Sequence, residues 1–251
     1  MAIALKEQGF NSTESKSLAF FKGLTLFIHI PDEEVARFSD AAQIKNYKKG
    51  QILYSESEPA AFFHIICSGW IKLFHTTAEG EEMILAMLTR DSVTGVKPLF
   101  EQERFTMSAQ VVEDAEIFSI PLALLKERLR TNNQLALNMI SYMVQQQRRY
   151  ELHQEQYFLY SAPQRIGCFL LGLCPALEQK DGVILKLPYD KVLIASALGM
   201  KAPTFSRALN ILREETGIHI TGTSVTIDSM QRLLTFVDGC YSHPNLYKNL
   251  S

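Results

Sequence analysis

Up to about residue 120, apolar residues come in short runs broken by turn residues. QILYSESEPA opens on an alternation and closes on a Glu-Pro turn. AFFHIICSGWIKLFHTTAEGEEMILAML holds two strand-like runs, with Ser68-Gly69 and Glu79-Gly80 as punctuation. TMSAQVVEDAEIFSIP supplies two more. Beta-branched and aromatic runs spaced by about 8–12 residues predict an antiparallel barrel or sandwich. Its core candidates are Tyr54, Phe63, Ile65, Trp70, Phe74, Ile84 and Val111. The helix signal in this block is confined to the polar leader and to PDEEVARFSDAA. There Asp32, Glu33 and Glu34 suit the positive end of a helix dipole.

The period then changes. From Pro121 to Tyr160 there is no glycine and no further proline. Residues 121–130 read as a short helix, and NNQLALNMISYMVQQQRRYELHQEQYFLY as a long one. Ala136, Ile140, Met143, Gln147, Tyr150, Gln154 and Tyr157 recur at alternating steps of four and three, a heptad-like seam. The glutamines weaken it as an isolated coiled coil. The narrow apolar stripe on so long a helix predicts a two-fold dimer interface. Ser161-Ala162-Pro163 interrupts: serine can cap, and proline suits the first turn of the next helix. Ser161 is the expected boundary and hinge. APQRIGCFLLGLCPAL follows, with Ile166, Phe169 and Leu170 on one side.

The last block begins with a short strand in KDGVILKLP and ends in IHITGTSVTID, two runs around Gly222-Thr223 that make a plausible wing. Between them lies PYDKVLIASALGMKAPTFSR, continuing through LNILREE. Gly199 is the expected turn between two helices. Ala195, four residues earlier, is small where the helices cross closely, the packing requirement of a helix-turn-helix. The second helix starts near Pro203. Arg207 is the base-reading candidate, because a guanidinium fork matches guanine O6 and N7. Ser206 can meet a base edge or a phosphate. Lys201 and Thr204 lie near the helix start, where phosphates are within reach. Thr221, Thr223 and Ser224 on the wing can touch the backbone, and Asn210 sits one turn beyond Arg207.

Composition narrows the function. The 251 residues are 47% hydrophobic, enough for two modest domains, and the formal charge of -2 confines any nucleic-acid surface to a local patch. No apolar run reaches membrane-spanning length, and the leader lacks the basic-then-apolar order of a secretory signal, so a cytoplasmic protein is expected. Cys67, Cys168, Cys174 and Cys240 have no Cys-x2-Cys pair, and reduced thiols are expected. Gly-rich phosphate loops, His-Glu metal motifs and nucleophile elbows are missing, so the chain does not read as an enzyme.

The strings SGWIKLFHTTAEGEEMILAML and LGMKAPTFSRALNILREE, in this order, resemble the CRP/FNR family of bacterial transcription regulators, which includes the catabolite activator and the fumarate-nitrate reduction regulator. The resemblance runs from about residue 24 to 228. It implies an α+β chain: a cyclic-nucleotide-binding-like β-roll sensor over 1–130, a dimerisation helix over 131–160, a winged helix-turn-helix over 161–240 and a polar tail over 241–251. It implies a homodimer on pseudo-palindromic double-stranded DNA, usually an activator meeting RNA polymerase. Thr-Phe-Ser-Arg resembles the branch responding to nitrogen oxides. Where relatives carry a glutamate that accepts from cytosine N4, this chain has Pro203, which implies an altered half-site.

The effector expected from the resemblance is a separate matter. Cyclic-nucleotide binders keep a Gly-Glu-Leu string and an Arg-Ser pair in the roll. Here those positions are Gly95-Val96-Lys97 and Met107-Ser108, so the ribose carboxylate and the phosphate arginine are gone. That argues against cyclic AMP. No cysteine precedes Cys67, which argues against an iron–sulfur cluster of the oxygen-sensing type. Haem remains open, with His29, His64 and His75 as axial candidates beside Cys67 and Met107. So do another small organic ligand in the roll and regulation without any ligand.

Overall fold

The computed structural model describes residues 17–101, 103–174, 182–187 and 191–237. The tail expected at 241–251 lies outside the described residues. Six strands build the N-terminal half: β1 (Gln43–Tyr47), β2 (Ile52–Tyr54), β3 (Phe62–Thr76), β4 (Glu82–Leu88), β5 (Val93–Thr94) and β6 (Ser108–Pro121). They run in the order β1-β6-β3-β4, with β2 also on β6 and β5 also on β3, all antiparallel.

Two stretches differ from the expected strand count. Ser68-Gly69 does not turn the chain back, so the two expected runs around it form one long bent strand, β3. The two runs expected in 108–121 likewise form one strand, β6. The reason lies at Gly69. Its φ is +84°, and a Cβ there would sit 2.3 Å from the Asp114 carbonyl oxygen and 2.7 Å from the Ala115 Cα. The pairing shifts register between Ile66 and Ser68, and again between Ser68 and Trp70. Glycine here bends a strand at close backbone approach.

Alternation sorts β3 into two faces. Ile71 and Leu73 join Tyr54, Phe105, Val111 and Ile117 inside the roll. Trp70, Lys72 and Phe74 take the other face. Lys72 is buried, ion-paired with Glu82 and held 4.7 Å over the Phe74 ring. Of the expected core, Tyr54, Phe63, Ile65, Trp70, Phe74 and Val111 are buried, and Ile84 is half-buried.

Helices α1 (residues 17–23), α2 (Asp32–Ala41), α3 (Leu122–Thr131) and α4 (Asn133–Leu159) cover one end of the roll. Phe21, Phe27, Phe38, Leu125, Leu135 and Met139 are buried there with Phe63, Ile65 and Phe118. The Arg128 guanidinium ties α3 to the buried Glu34 carboxylate of α2, Nη2 donating to Oε2 at 2.9 Å. Asn138 of α4 donates to the carbonyls of Leu26 (3.0 Å) and Ile28 (2.7 Å). These bonds fix the first turns of the long helix on the roll.

The C-terminal half comprises α5 (Ala162–Gly172), β7 (Val183–Lys186), α6 (Lys191–Ala197), α7 (Ala202–Thr216), β8 (His219–Thr221), β9 (Ser224–Ile227) and α8 (Met230–Phe236). The Ser161 N–H donates to the Gln164 side chain at 3.0 Å, and Pro163 sits in the first turn of α5. Ile166, Phe169 and Leu170 face the shared core as expected. Helix α8, which the sequence reading does not single out, adds Met230 and Leu233. Cys168, buried in α5, is disulfide-bonded, whereas a reduced thiol was expected; Cys67 and Cys174 are free. Strand β4 runs against α6. Trp70 and Val112 of the roll are buried in the same cluster as Ile194 and Leu212. Roll and reading domain therefore meet through apolar side chains. Among the described residues, no helix is long and apolar enough to cross a membrane.

Candidate nucleic-acid interface and roll interior

Helix α6 ends at Ala197, and Gly199 turns the chain with φ +66°. The Met200 N–H returns to the Ala195 carbonyl at 2.8 Å, and Ala195 is fully buried at the crossing. Lys201 is the N-cap of α7, and Pro203 is its second residue, where a missing N–H costs nothing. The spacing of Phe205, Ala208, Leu209 and Leu212 buries one face. Pro203, Thr204, Ser206, Arg207 and Asn210 are exposed. Arg207 Nε donates back to the Pro203 carbonyl at 3.4 Å, which lays the guanidinium toward the helix start. Across the wing, Gly222 turns with φ +61°, and Thr221, Thr223 and Ser224 are exposed. Lys201, Thr204, Ser206, Arg207 and Thr223 thus lie at the surface of one small domain. Such a surface presents donors and acceptors to a major groove and its flanking phosphates.

The turn is held from α4 and α5. Arg165 Nη1 donates to the Leu198 carbonyl at 3.1 Å, and its guanidinium lies 4.8 Å over the Tyr157 ring. A Cβ on Gly199 would come within 3.0 Å of Tyr157. Arg165 Nε is buried without a partner in the structure. The sequence reading missed Arg165; the signal available was a charge on an otherwise apolar helix face.

Along α4, the seam residues Ile140, Met143, Gln147, Tyr150, Gln154 and Tyr157 are exposed, and Ala136 is half-buried. The exposed apolar stripe is wider than the expected seam, because Leu137, Val144 and Phe158 are exposed too. Tyr157 also serves the contact with Arg165 and Gly199 within its own chain.

In the roll, Gly95 has φ +79°, and a Cβ there would lie 3.2 Å from the Phe105 ring. Val96 is half-buried, Lys97 exposed and Met107 half-buried against the roll interior. Ser108 Oγ accepts from the Glu56 N–H at 3.0 Å. The interior beside them holds three nearly parallel rings. Phe105 stacks on Tyr54 at 3.8 Å between centroids, and Tyr54 on His64 at 5.7 Å. The Tyr54 hydroxyl bonds Thr94 Oγ1 at 2.5 Å, and His64 Nδ1 bonds Ser119 Oγ at 3.0 Å. Burial pushes the Tyr54 phenol up to about 12. Burial, then the Lys45 charge, lowers His64 to about 4. Both rings are neutral near pH 7.

The three histidines are not brought together. His64 is locked in this stack, His75 Nδ1 lies 3.1 Å from Glu56 Oε2, and His29 sits at φ +60° before α2. His64 Nδ1 is taken by Ser119, and Tyr54 stacks on the face of its ring. Among the described residues, no group of three His, Cys, Asp or Glu is placed to hold a metal.

A β-roll joined by a long helix to a winged helix-turn-helix with an exposed polar reading row defines a DNA-binding regulator with a sensor-type domain. The Cyclic nucleotide-binding domain family matches residues 44–132, and the Crp-like helix-turn-helix domain family matches residues 164–236. The chain belongs to the CRP/FNR family of transcription regulators. It is 27% identical over 189 residues to the global nitrogen regulator of Synechococcus elongatus, covering 74% of this chain and 85% of that protein. It is 25% identical to the anaerobic regulatory protein of Bacillus subtilis, covering 70% and 75%. Among solved structures it resembles a candidate cyclic nucleotide binding protein of Ruegeria pomeroyi, with a TM-score of 0.66 at 25% identity, covering 90% of this chain and 99% of that one. These relatives place it among regulators rather than enzymes.

Proposed function

We propose that the protein is a cytoplasmic homodimer that binds a pseudo-palindromic DNA site and activates transcription by meeting RNA polymerase there. The observation that carries this reading is the row Thr204, Ser206 and Arg207, exposed at the start of a helix whose other face is buried. The wide apolar stripe on α4 supports dimerisation, because Leu137, Ile140, Val144 and Phe158 are exposed among the described residues. Two joined reading helices need half-sites with centres about 34–36 Å apart, or a multiple. The similarity to a nitrogen regulator and an anaerobic regulator supports a role in nitrogen or anaerobic metabolism.

Selection of bound duplexes from a random pool tests this. The expected product is an inverted repeat with that spacing, altered from the relatives' half-site where Pro203 replaces a glutamate. Arg207→Ala should then lose about 1–3 kcal/mol of preference for the selected duplex, while binding random duplex as before. Equal loss on both duplexes would remove Arg207 from base reading, and a pool with no repeat would sink the dimer.

A second reading concerns the roll. Regulation without a dissociable effector is favoured by the Phe105–Tyr54–His64 stack, which fills the interior with the chain's own rings. Haem with nitric oxide is the other reading from the branch, with His29, His64, His75, Cys67 and Met107 as its axial candidates.

A further inference from the structure

The loop that carries Phe105 is fastened along its length. The Ala60 N–H donates to the Glu103 carbonyl at 2.9 Å, and the Phe105 N–H to the Glu58 carbonyl at 3.0 Å. The Ser57 N–H donates to the Phe105 carbonyl at 2.8 Å, and Arg104 Nη1 to the Ser57 carbonyl at 2.6 Å. These four bonds deliver a phenyl ring from a polar stretch, Glu103-Arg104-Phe105-Thr106, into the roll, where it is buried. Gly95 suits the ring: its positive φ would strain any other residue, and a Cβ there would press on Phe105 at 3.2 Å.

From the ring a continuous set of contacts leads to α4. Phe105 stacks on Tyr54 with an interplanar angle of 11°. The Tyr54 hydroxyl bonds Thr94. The residue before Thr94, Val93, is gripped at both backbone groups by the Tyr142 hydroxyl of α4, which donates to its carbonyl at 2.9 Å and accepts from its N–H at 3.2 Å. Tyr142 lies one turn from Asn138 and on the helix that bears the exposed apolar stripe.

We infer that Phe105 is a tethered occupant of the roll, which takes the place of a dissociable effector and holds α4 in its DNA-binding arrangement through Tyr54, Thr94, Val93 and Tyr142. A ligand biases two arrangements only by its differential contacts with them. A side chain fastened beside its own pocket makes those contacts permanently, because the tether keeps its effective concentration high. Phe105 and Tyr142 are positioning residues here; neither touches DNA. The inference rests on the reading that the roll acts without a dissociable effector.

Fluorescence anisotropy with the selected duplex and with random duplex tests it. Protein unfolded, dialysed and refolded without any added small molecule should bind the selected duplex as well as untreated protein does. Phe105→Ala should bind the selected duplex about tenfold more weakly, a coupling of ordinary size, with random-duplex binding unchanged. Indole, added as a filler for the vacated ring site, should restore part of the loss. Tyr142→Phe removes one oxygen and leaves the packing, and it should give a similar loss on the selected duplex alone. It carries the test if Phe105→Ala does not fold. Refolded wild-type protein that fails to bind would defeat the effector-free reading, and the inference with it. Wild-type binding with unchanged affinity in folded Phe105→Ala, or in Tyr142→Phe, would defeat the inference and leave that reading standing.

Discussion

At the scale of single residues, chemistry and placement have to agree before a side chain can act. Arg207 is legible in sequence because Ser-Arg follows a turn glycine and a proline at helical spacing, and the fold puts it on the exposed face of α7. At His64 the fold supplies the surroundings that the sequence does not. In sequence it is one of three histidines open to haem ligation. In the structure it is a neutral ring in a stack, bonded to Ser119. Its titration sets a pH dependence whose sign can be worked out. The unfolded histidine, near 6.5, binds a proton that the folded one, at about 4, refuses. Between these values the unfolded state holds more protons, so stability rises with pH. The contribution is complete above pH 6.5 and is lost as pH falls toward 4, to a limit of about 3 kcal/mol. Urea unfolding at pH 7 and pH 5 should show the loss, and His64→Phe should shrink it. An equal slope in the variant would show that carboxylates alone cause it. Phe105 was not readable, because one phenylalanine among charged neighbours gives no period; only the ladder from 103–105 to 57–60 turns it inward.

At the scale of elements, periodicity identifies a helix better than it identifies what the helix meets. The steps of four and three found α4 and most of its outward stripe. They put Ala136 and Tyr157 on the seam, yet Ala136 is half-buried and Tyr157 packs on Arg165 and the Gly199 turn. They passed over Leu137, Val144 and Phe158, because a helix fastened to a roll on one side can present more than a strict heptad row on the other. A charge at the centre of this stripe should separate the proposed dimer. Val144→Glu would bury an unpaired carboxylate, at a cost of several kcal/mol, and should raise the dimer dissociation constant by at least about 100-fold. Sedimentation velocity reads this directly, and an unchanged dimer would place the interface elsewhere. The strands carry a similar lesson. Ser68-Gly69 has the composition of a turn, and it became a bend because the Asp114 carbonyl and Ala115 approach too closely for any other residue.

At the scale of the whole molecule, roll and reading domain share apolar contacts. Trp70 is the single tryptophan of the chain, and with Val112 it is buried in the cluster that supports α6 and α7. Its fluorescence is therefore a reporter of that contact. Val112→Asp should loosen it, shift the emission to longer wavelength and leave the far-ultraviolet circular dichroism intact. An unshifted emission would show that Trp70 stays covered without it. By itself the sequence determined the order of the parts, the turn at Gly199, the polar row on α7 and the kinship with the CRP/FNR family. These depend on local period, on turn chemistry and on strings of residues, all of which are written consecutively along the chain. Only the tertiary structure decided that Phe105 stacks on Tyr54 inside the roll, that Tyr142 grips Val93, that Arg165 holds the turn, and that Trp70 joins the cluster of the C-terminal half. Each of those depends on residues far apart in sequence meeting at contact distance, as Phe105 meets Tyr54 and Tyr142 meets Val93, and no local pattern encodes such a meeting.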